Sequence, residues 1–393
     1  MKLTIPFNGQ EDLIPQLAGY PDVLEVYGKL TSDFVGGGKH SFQTPSITKS
    51  KLAYNVKIAH KQGLGFNYLL NSSCLNNAEL TIKGQRKITQ LMDWLVSMGV
   101  DSVTVTIPYL LELIKKRYPS LKVYVSVLAG VNSLRRAKFW ENIGADRITL
   151  LNVDVNRNFP LLAQIKNNVK CQLSLILNAN CLYECPVYVY HGITTSHASQ
   201  SGHSSKGFVI DYCRIVCRYR QIKEPVNFIK SSWIRPEDVA YYEKIGINCF
   251  KIIDRGMSTQ TILSIVDAYV KRDYSGNLLD LFPDPTKSLS FRRNNLFPKI
   301  KYFLRPFMVN IFKLSRFSDL FPNPVYIDNK QLNGFLDNIM TKECSRILCE
   351  DCGYCNEVAA KVVKIDNSLY KTMLDNYKKC LDNLISGRLF KYF

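Results

Sequence analysis

Short runs of β-forming residues alternate with helical patterns from the amino terminus to about residue 272. Strands separated by helices are typical of βα units, which build parallel sheets. Nine runs are predicted as strands, one more than a closed (β/α)₈ barrel needs, so one of them is expected to be accessory. These runs are residues 3–7, 23–27, 65–70, 102–107, 122–127, 147–151, 172–177, 227–230 and 249–253.

The helices between these strands have clear ends. Glycine just past the last turn supplies the left-handed conformation that stops a helix. Pro236 at a first helical position, followed by Glu237 and Asp238, marks one start clearly. The best-marked predicted helices and their glycines are residues 85–97 with Gly99, 133–142 with Gly144, and 236–244 with Gly246.

The chain is longer than a barrel requires. A (β/α)₈ barrel takes about 250 residues, and the chain has 393. We therefore expect a TIM-like α/β barrel over residues 1–274, a basic aromatic connector over 275–341, and a cysteine-rich, mostly helical tail over 342–393. Helices are predicted in the tail at 357–364 and 368–386.

Composition indicates a folded and basic protein. The chain has 51 Lys and Arg against 33 Asp and Glu, a formal charge of +18, but its 46% of apolar residues exclude a disordered basic tail. The first residues lack the pattern of a secretory signal, and no apolar run approaches the length of a membrane span. We therefore expect a cytoplasmic protein without a transmembrane segment, in which clustered cysteines serve metal or redox chemistry.

Four cysteines form two matched pairs. Cys181 and Cys185 follow the predicted strand 172–177, and Cys213 and Cys217 follow after a loop. Cysteines four apart on a helix or tight turn project from one side, so the pairs can supply four thiolates to one zinc ion or iron–sulfur cluster. The three-residue gap favours a cluster, because structural zinc more often uses closer pairs. The alternative is four small buried apolar side chains.

The tail carries a second cysteine set, Cys344, Cys349, Cys352 and Cys355. The last three have the spacing of a bacterial ferredoxin run without its terminal Cys-Pro, so Cys344 or Cys380 would be the fourth ligand. We expect metal binding here, with a second iron–sulfur cluster slightly favoured over zinc. The alternatives are a redox dithiol and a structural knuckle.

Asparagine and arginine dominate the residues that follow the predicted strands, where a barrel places its active site. Carboxylates and histidines are scarce there, which favours binding of an anionic or carbonyl-bearing ligand. Arg235 and Arg255 are the best candidates, and many of the asparagines are equally well explained as caps of loops and helices. His191 is a candidate proton donor or substrate contact.

Two further segments leave alternatives open. The glycines at 36–38 could cradle a phosphate, but a flexible turn explains them better because no P-loop pattern follows. Residues 285–318 contain eight basic and no acidic residues, interleaved with aromatic ones. This basic segment suits a nucleic-acid groove, a membrane-surface helix or a connector that lies against the barrel, and the connector is favoured.

The cysteine pairs and the blocks that follow them resemble the peptidase U32 family of collagenase-like proteins. The resemblance covers about residues 1 to 275. It is carried by Asn180-Cys181-x3-Cys185-Pro186-x4-His191, by Cys213-x3-Cys217, by Trp233-Ile234-Arg235-Pro236-Glu237-Asp238, and by Tyr242-Glu243-x2-Gly246-Ile247-x2-Phe250-Lys251-Ile252-x2-Arg255.

The resemblance implies a TIM-like barrel whose four cysteines hold a 4Fe–4S cluster. It also implies oxygen-independent hydroxylation of quinone precursors or RNA bases, although some relatives carry a peptidase label. Carried onto this chain, the cluster ligands are Cys181, Cys185, Cys213 and Cys217, and the polar wall is His191, Arg235, Lys251 and Arg255.

We therefore expect an iron–sulfur-dependent oxidoreductase that hydroxylates an anionic or aromatic small molecule. RNA modification is the alternative, and a partner subunit of the same family is a further expected partner. Proteolysis is disfavoured, because peptide hydrolysis needs an activated nucleophile or metal-bound water. The cysteines that could serve are better explained as ligands.

Overall fold

Eight parallel strands close into a barrel in the computed structural model, as the alternating pattern predicts. The model describes residues 1–283, 296–305, 307–315, 323–342, 344 and 347–391. The last strand pairs with both the first and the seventh, which closes the sheet. In chain order the strands are β1 (Lys2–Pro6), β2 (Val23–Gly28), β3 (Gly65–Leu70), β4 (Ser102–Val105), β5 (Lys122–Val125), β6 (Arg147–Thr149), β7 (Gln172–Ile176) and β8 (Cys249–Lys251).

Helices surround the barrel, and some of them end at a glycine. Gly99 follows the longest of them with a φ of +82°, a conformation that glycine adopts without strain. In chain order they are α1 (Leu13–Leu17), α2 (Lys49–Lys61), α3 (Ile82–Met98), α4 (Pro108–Arg117), α5 (Leu134–Asn142), α6 (Asn152–Val155), α7 (Phe159–Asn168), α8 (Tyr188–His197), α9 (Tyr212–Lys223), α10 (Val226–Lys230), α11 (Val239–Lys244) and α12 (Thr259–Lys271).

The predicted strand at 227–230 is wrong, because these residues belong to α10. Pro225 precedes the helix, and its carbonyl accepts a hydrogen bond from the Phe228 amide at 3.0 Å. A short apolar run such as Phe228-Ile229 fits a buried strand and a buried helix equally well, so its pattern alone could not decide.

The barrel interior contains a buried ion pair beneath its mouth. Arg147 on β6 pairs with Glu25 on β2, and its guanidinium lies 4.1 Å from the ring centroid of Tyr124 on β5. Since β2 and β6 are not neighbours in the sheet, this pair crosses the interior. Together with the buried Leu, Ile and Val side chains of the strands, it fills the barrel below the site.

The described residues after the barrel pack onto its side. Val325, Phe335, Ile339 and Val362 belong to the same buried apolar cluster as the barrel residues. Two short strands pair antiparallel, and the last helix packs against α9. The elements are α13 (Leu296–Phe303), α14 (Ile311–Ser315), β9 (Val325–Ile327), α15 (Phe335–Thr341), α16 (Cys349–Cys352), α17 (Tyr354–Val362), β10 (Val363–Ile365) and α18 (Asn367–Ile385).

Part of the basic segment contacts the rim of the barrel. The ring of Phe303 on α13 lies 4.6 Å from that of Phe42, and Tyr302 is buried beside them. Lys287, Arg292, Arg293 and Arg316 of this segment lie outside the described residues. None of the helices in the described part of the chain is both long and apolar enough to cross a membrane.

Candidate functional site

A cavity of about 380 Å³ opens at the carboxyl ends of the barrel strands, and we call it the mouth. It collects seven of the eight candidate residues expected for the barrel. They are Cys181, Cys185, Cys213, Cys217, His191, Lys251 and Arg255. The carboxyl ends of barrel strands are where enzymes of this fold place their chemistry, so the mouth is the candidate active site.

The cysteine side of the mouth is built by the loop after β7 and by α9. Cys181 and Cys185 lie on the loop, while Cys213 and Cys217 lie one turn apart on α9. Gln221 on α9 donates a hydrogen bond of 3.0 Å to the carbonyl of Asn180, which ties the helix to the loop. All four cysteines are free and line the same cavity.

Burial makes these thiols weak acids. Burial and the neighbouring thiols raise the pKa of Cys217 to about 11, and burial with Asp211 raises that of Cys213 to about 12. The pKa values of Cys181 and Cys185 are also raised, mainly by burial. The thiols are therefore protonated near neutral pH, and any metal that binds them must displace protons.

The four thiols satisfy the chemical requirement of an iron–sulfur cluster. Among the described residues, no three Cys, His, Asp or Glu side chains stand as ligands of one metal ion. A four-iron cluster is held differently, because its four cysteines each bind a separate iron. The cavity lining supplies four soft donors, so Cys181, Cys185, Cys213 and Cys217 fit this group.

A cationic group lies in the same cavity. Arg255 is only 3% exposed, and its Nη1 has no hydrogen-bond partner within the described structure. Burial lowers the pKa of Lys251 to about 7, although Glu25 opposes this shift. Unpaired buried donors and a lysine that titrates near neutrality are typical of anion-binding and catalytic sites.

The backbone of Asp254, the residue before Arg255, is strained. Its φ is +95°, unusual for a residue with a side chain, and its carboxylate accepts a 2.8 Å hydrogen bond from the Gly256 amide. Lys39, which is distant in sequence, forms an ion pair with the same carboxylate. Backbone strain of this kind persists where surrounding contacts fix it, and it is common at functional sites.

Two histidines, His191 and His40, line the mouth. Nε2 of His191 lies 3.3 Å from a carboxylate oxygen of Asp211, which is the N-cap of α9. Burial opposes ionisation of Asp211, but its hydrogen bond with His191 and nearby positive charges hold its pKa below the ordinary value. Burial lowers the pKa of His40 to about 4, so this ring is neutral at pH 7.

The glycine-rich turn does not present free amides to a phosphate. The amide of Gly36 donates to Asp33, that of Gly37 to Ser199, and that of Gly38 to Asn71, at 2.6, 2.7 and 3.2 Å. The backbone donors that a phosphate would need are already used. The turn alternative therefore explains this segment.

Arg235 lies away from the mouth. Its Nε and Nη2 donate to the carboxylate of Asp238 at 2.9 and 2.8 Å, and its Nη1 donates to the carbonyl of Asn329 at 3.0 Å. The side chain is 2% exposed. These contacts join the barrel to the segment after it, so Arg235 has a structural role and does not face the mouth.

The strand-end asparagines divide into two groups. Asn8 donates to the Met257 carbonyl, and Asn178 donates to the carbonyls of Ile253 and Leu281, so both hold loops together. Asn71, Asn152 and Asn180 line the mouth. Some of the strand-end asparagines therefore hold loops, and others are available to bind a ligand in the mouth.

Sequence reasoning missed Tyr27, Arg214 and Arg218, which also line the mouth. Each arginine directly follows a cysteine of α9, and their spacing of four places the two arginines on one side of the helix, next to the cysteine face. That spacing was a usable signal. The sequence around Tyr27 contains no signal of a functional residue, because an aromatic residue within a strand is more often part of the core.

The tail cysteines gather at a separate place. Cys344, Cys349, Cys352 and Cys355 line one small cavity, whereas Cys380 is buried in an apolar contact between α18 and α9. Of the two candidates for a fourth tail ligand, Cys344 therefore lies with the other three.

The fold and the mouth define a (β/α)₈-barrel protein with a cysteine-lined and cationic site. The model of peptidase family U32 matches residues 34–274. The chain belongs to this family.

The chain is also similar to individual proteins. The chain is 32% identical over 333 residues to an uncharacterized protease of Methanocaldococcus jannaschii, covering 85% of this chain and 87% of the relative. It is 21% identical over 251 residues to tRNA hydroxylation protein P1 of Bacillus subtilis, covering 61% and 57%. A solved structure of a U32 peptidase is 22% identical, with a TM-score of 0.49, and the match covers 64% of this chain and 92% of that one.

Proposed function

We propose that this chain is an iron–sulfur-dependent enzyme that hydroxylates an anionic or aromatic small molecule without dioxygen. The oxygen atom would come from water or an oxygen-bearing co-substrate, and an external acceptor would take the two electrons that the oxidation releases. One observation carries the proposal: four free thiols, the partly buried Lys251 and the buried Arg255 line the same cavity. The thiols suit a redox cofactor, and the cations suit the acidic group of a substrate. The weak similarity to a tRNA hydroxylation protein supports a hydroxylation chemistry.

Cys181, Cys185, Cys213 and Cys217 would hold a 4Fe–4S cluster. When bound, such a cluster supplies electron transfer, which the side chains of the mouth cannot perform. Arg214 and Arg218, which follow the two cysteines of α9, place positive charge beside the thiolates that cluster binding requires. Opposite charges this close favour the thiolate form.

Arg255 and Lys251 would bind the substrate. The unpaired Nη1 of Arg255 offers a hydrogen bond to a carboxylate or phosphate oxygen, and burial strengthens such a charge-assisted bond. Lys251 adds a second positive charge when protonated. Among the described residues, five cations line the mouth, Lys39, Arg214, Arg218, Lys251 and Arg255, against the two carboxylates Asp211 and Asp254. This imbalance attracts an anion.

His191 would move protons between the substrate and solvent. Its ring lines the mouth while remaining partly exposed, and Asp211 orients it through Nε2. Imidazole is the side chain that enzymes most often use for general acid–base catalysis.

Anaerobic spectroscopy tests whether the iron–sulfur cluster and an anionic substrate share the mouth. Benzoate, a simple anionic aromatic compound, should change the visible or electron paramagnetic resonance spectrum of the protein with its iron–sulfur cluster. The change should vanish in Arg255→Gln and persist in Arg135→Gln, which removes an exposed arginine of α5. A spectrum that responds equally in both variants would show that Arg255 does not hold the anion.

RNA is a second candidate substrate, favoured by the position of the basic segment beside the mouth. Phe303 of α13 packs on Phe42, and Gln43, the next residue, lines the cavity. Lys301, Arg305 and Lys313 could contact phosphates while a flipped base enters the mouth. The tRNA hydroxylation relative is consistent with this alternative.

Peptidase activity has only the names of relatives in its favour. In the described lining of the mouth, the ring of His191 is hydrogen-bonded to Asp211, not to a serine or cysteine. Peptide hydrolysis by a serine or cysteine nucleophile needs a histidine hydrogen-bonded to that nucleophile. Casein turnover that survives both metal removal and substitution of the mouth cysteines would revive this activity.

A further inference from the structure

The part of the chain that follows the barrel, which we call the extension, places four cysteines around one small cavity. Cys344, Cys349, Cys352 and Cys355 line this space of about 30 Å³, which we call the tail cavity. A space of this size can hold one or two water-sized atoms. Three of these cysteines also face a larger neighbouring cavity of about 560 Å³, into which a 4Fe–4S cluster, unlike a single zinc ion, would have to extend.

The backbone brings the three later cysteines together through a sharp turn. Helix α16 is a single turn that begins at Cys349 and ends at Cys352, and Gly353 then adopts a φ of +63°. Helix α17 starts at once, so Cys355 lies in its first turn. A cysteine knuckle of this kind is a frequent metal-binding element, and the spacings fall within the range used by zinc sites.

A buried arginine faces the same thiols from the barrel side. Arg157 is 9% exposed and lines the larger cavity together with Cys344, Cys349 and Cys355. Its Nη1 donates to the Ile229 carbonyl at 2.7 Å. Its Nε and Nη2 are buried and have no hydrogen-bond partner among the described residues.

The surroundings of Arg157 hold the guanidinium in place without neutralising it. It lies 4.4 Å from the ring centroid of Trp233 and 4.9 Å from that of Phe335. Lys230 and Lys342 add further positive charge to the larger cavity, and Asp154 is the carboxylate in its described lining. Burying a cation with unpaired donors is costly unless an anion lies beside it.

We propose that Cys344, Cys349, Cys352 and Cys355 bind a metal centre through four thiolates, and that Arg157 is its buried counter-cation. Four thiolates exceed the charge of a zinc ion or of a 4Fe–4S core, so the bound centre is an anion. It supplies the negative charge and the sulfur acceptors that the free Nε and Nη2 of Arg157 lack. Zinc and iron–sulfur share this thiolate chemistry.

The centre would join the extension to the barrel. Arg157 follows α6 and Trp233 precedes α11 in the barrel, while Phe335 begins α15 of the extension. Binding requires the thiols to rotate toward a common point, because they do not already stand as ligands of one ion. This inference does not depend on the proposed function, since it uses none of the residues of the mouth.

Alkylation of the wild-type protein tests the site without any substitution. Anaerobically purified protein is treated with iodoacetamide before and after metal chelation, and the modified cysteines are identified by mass spectrometry. The four tail cysteines should be protected before chelation and react after it. Cys74, outside both sets, is the internal reference. Tail cysteines that react equally in both samples would overturn the proposal.

Metal analysis of paired variants separates this site from the mouth. Cys349→Ala/Cys352→Ala should lose about one zinc or about four irons per chain, while Cys181→Ala/Cys213→Ala keeps that metal. Zinc loss and iron loss both support the thiolate centre and identify its metal. An unchanged metal content in the tail variant would contradict it.

Cobalt substitution tests the role of Arg157. Thiolate ligation of Co²⁺ gives a sulfur-to-metal charge-transfer band, which can be used to measure affinity. Arg157→Gln should weaken binding roughly 10–100-fold, as loss of an outer hydrogen-bond partner commonly does. Arg157→Lys should recover part of the loss, and Arg135→Gln should have no effect. Equal affinity in the Arg157→Gln and wild-type proteins would remove Arg157 from the site.

Discussion

The ammonium of Lys251 lies 3.9 Å from the centroid of the Tyr27 ring, across the mouth from one strand to another. The Tyr27 hydroxyl donates a 3.1 Å hydrogen bond to the carbonyl of Ile252, which follows Lys251. The tyrosine therefore fixes the end of β8 and offers its ring face to the lysine. The contact with the ring offsets only part of the free energy that the Lys251 ammonium loses when it is removed from water.

The lowered pKa of Lys251 predicts a pH-dependent stability. The unfolded chain keeps this proton up to about pH 10.5, whereas the folded protein releases it above about pH 7. The unfolded state thus binds more protons between these values, so the contribution of Lys251 becomes less unfavourable as pH rises. Below about pH 7 the cost of the buried charge is fully present.

Lys251→Met should remove this dependence. The free energy of unfolding of the variant, relative to wild type, should be highest near pH 6 and fall by up to a few kcal/mol toward pH 10. Urea unfolding across this range measures it. Lys271→Met, at an exposed lysine of α12, should show a nearly constant difference. A constant difference for Lys251→Met as well would mean that Lys251 has an ordinary pKa.

The free Nη1 of Arg255 predicts a loss of anion affinity on substitution. Arg255→Gln should weaken benzoate binding roughly 10–100-fold, the range expected for one charged hydrogen bond. Isothermal titration calorimetry measures this directly. The exposed Arg135→Gln substitution should leave the affinity within about twofold, since surface charges act weakly at a distance. Unchanged binding in Arg255→Gln would place the anion elsewhere.

The contacts of Arg235 predict an effect on stability. Arg235→Ala leaves Asp238 buried without its partner, so unfolding free energy should fall by about 3–5 kcal/mol. Lys271→Ala breaks an exposed pair with Asp267 and should cost about 0–1 kcal/mol. Guanidinium denaturation compares the two. If Arg235→Ala instead abolished anion binding in a fully stable protein, the role predicted from the sequence would be restored.

The basic segment predicts salt-dependent RNA binding if RNA is the substrate. Replacing Lys301, Arg305 and Lys313 with Gln should reduce the slope of log affinity against log salt by about 2. Filter binding with single-stranded RNA measures the slope. The matched control neutralises Lys116, Lys122 and Lys170, exposed residues toward the amino ends of the strands. Equal slopes in the two triple variants would limit the segment to a connector.

The barrel could be predicted because its signals are local. Each of the eight observed strands overlaps one of the predicted runs, and Gly99 and Gly246 stop helices through their own conformation. The cysteine pairs could be placed at the mouth for the same reason. One pair directly follows β7, and the other has helical spacing.

Arg235 shows how one local error propagates. A strand at 227–230 would end just before Arg235 and would place it at the mouth. Since that run is α10, Arg235 is not a strand-end residue, and it pairs with Asp238 instead. The ion pair of Lys39 with Asp254 had no local signal either, because only the closed barrel brings these residues together.

Iron and acid-labile sulfide content is the most direct measure of the central claim. Anaerobically purified Cys349→Ala/Cys352→Ala protein, in which the mouth is intact, should contain about four irons and about four sulfides per chain. The same variant with Cys181→Ala and Cys213→Ala added should contain almost none, while Cys74→Ala added as the control should change nothing. A protein whose mouth cysteines bind zinc alone, or whose iron survives their removal, would contradict the account.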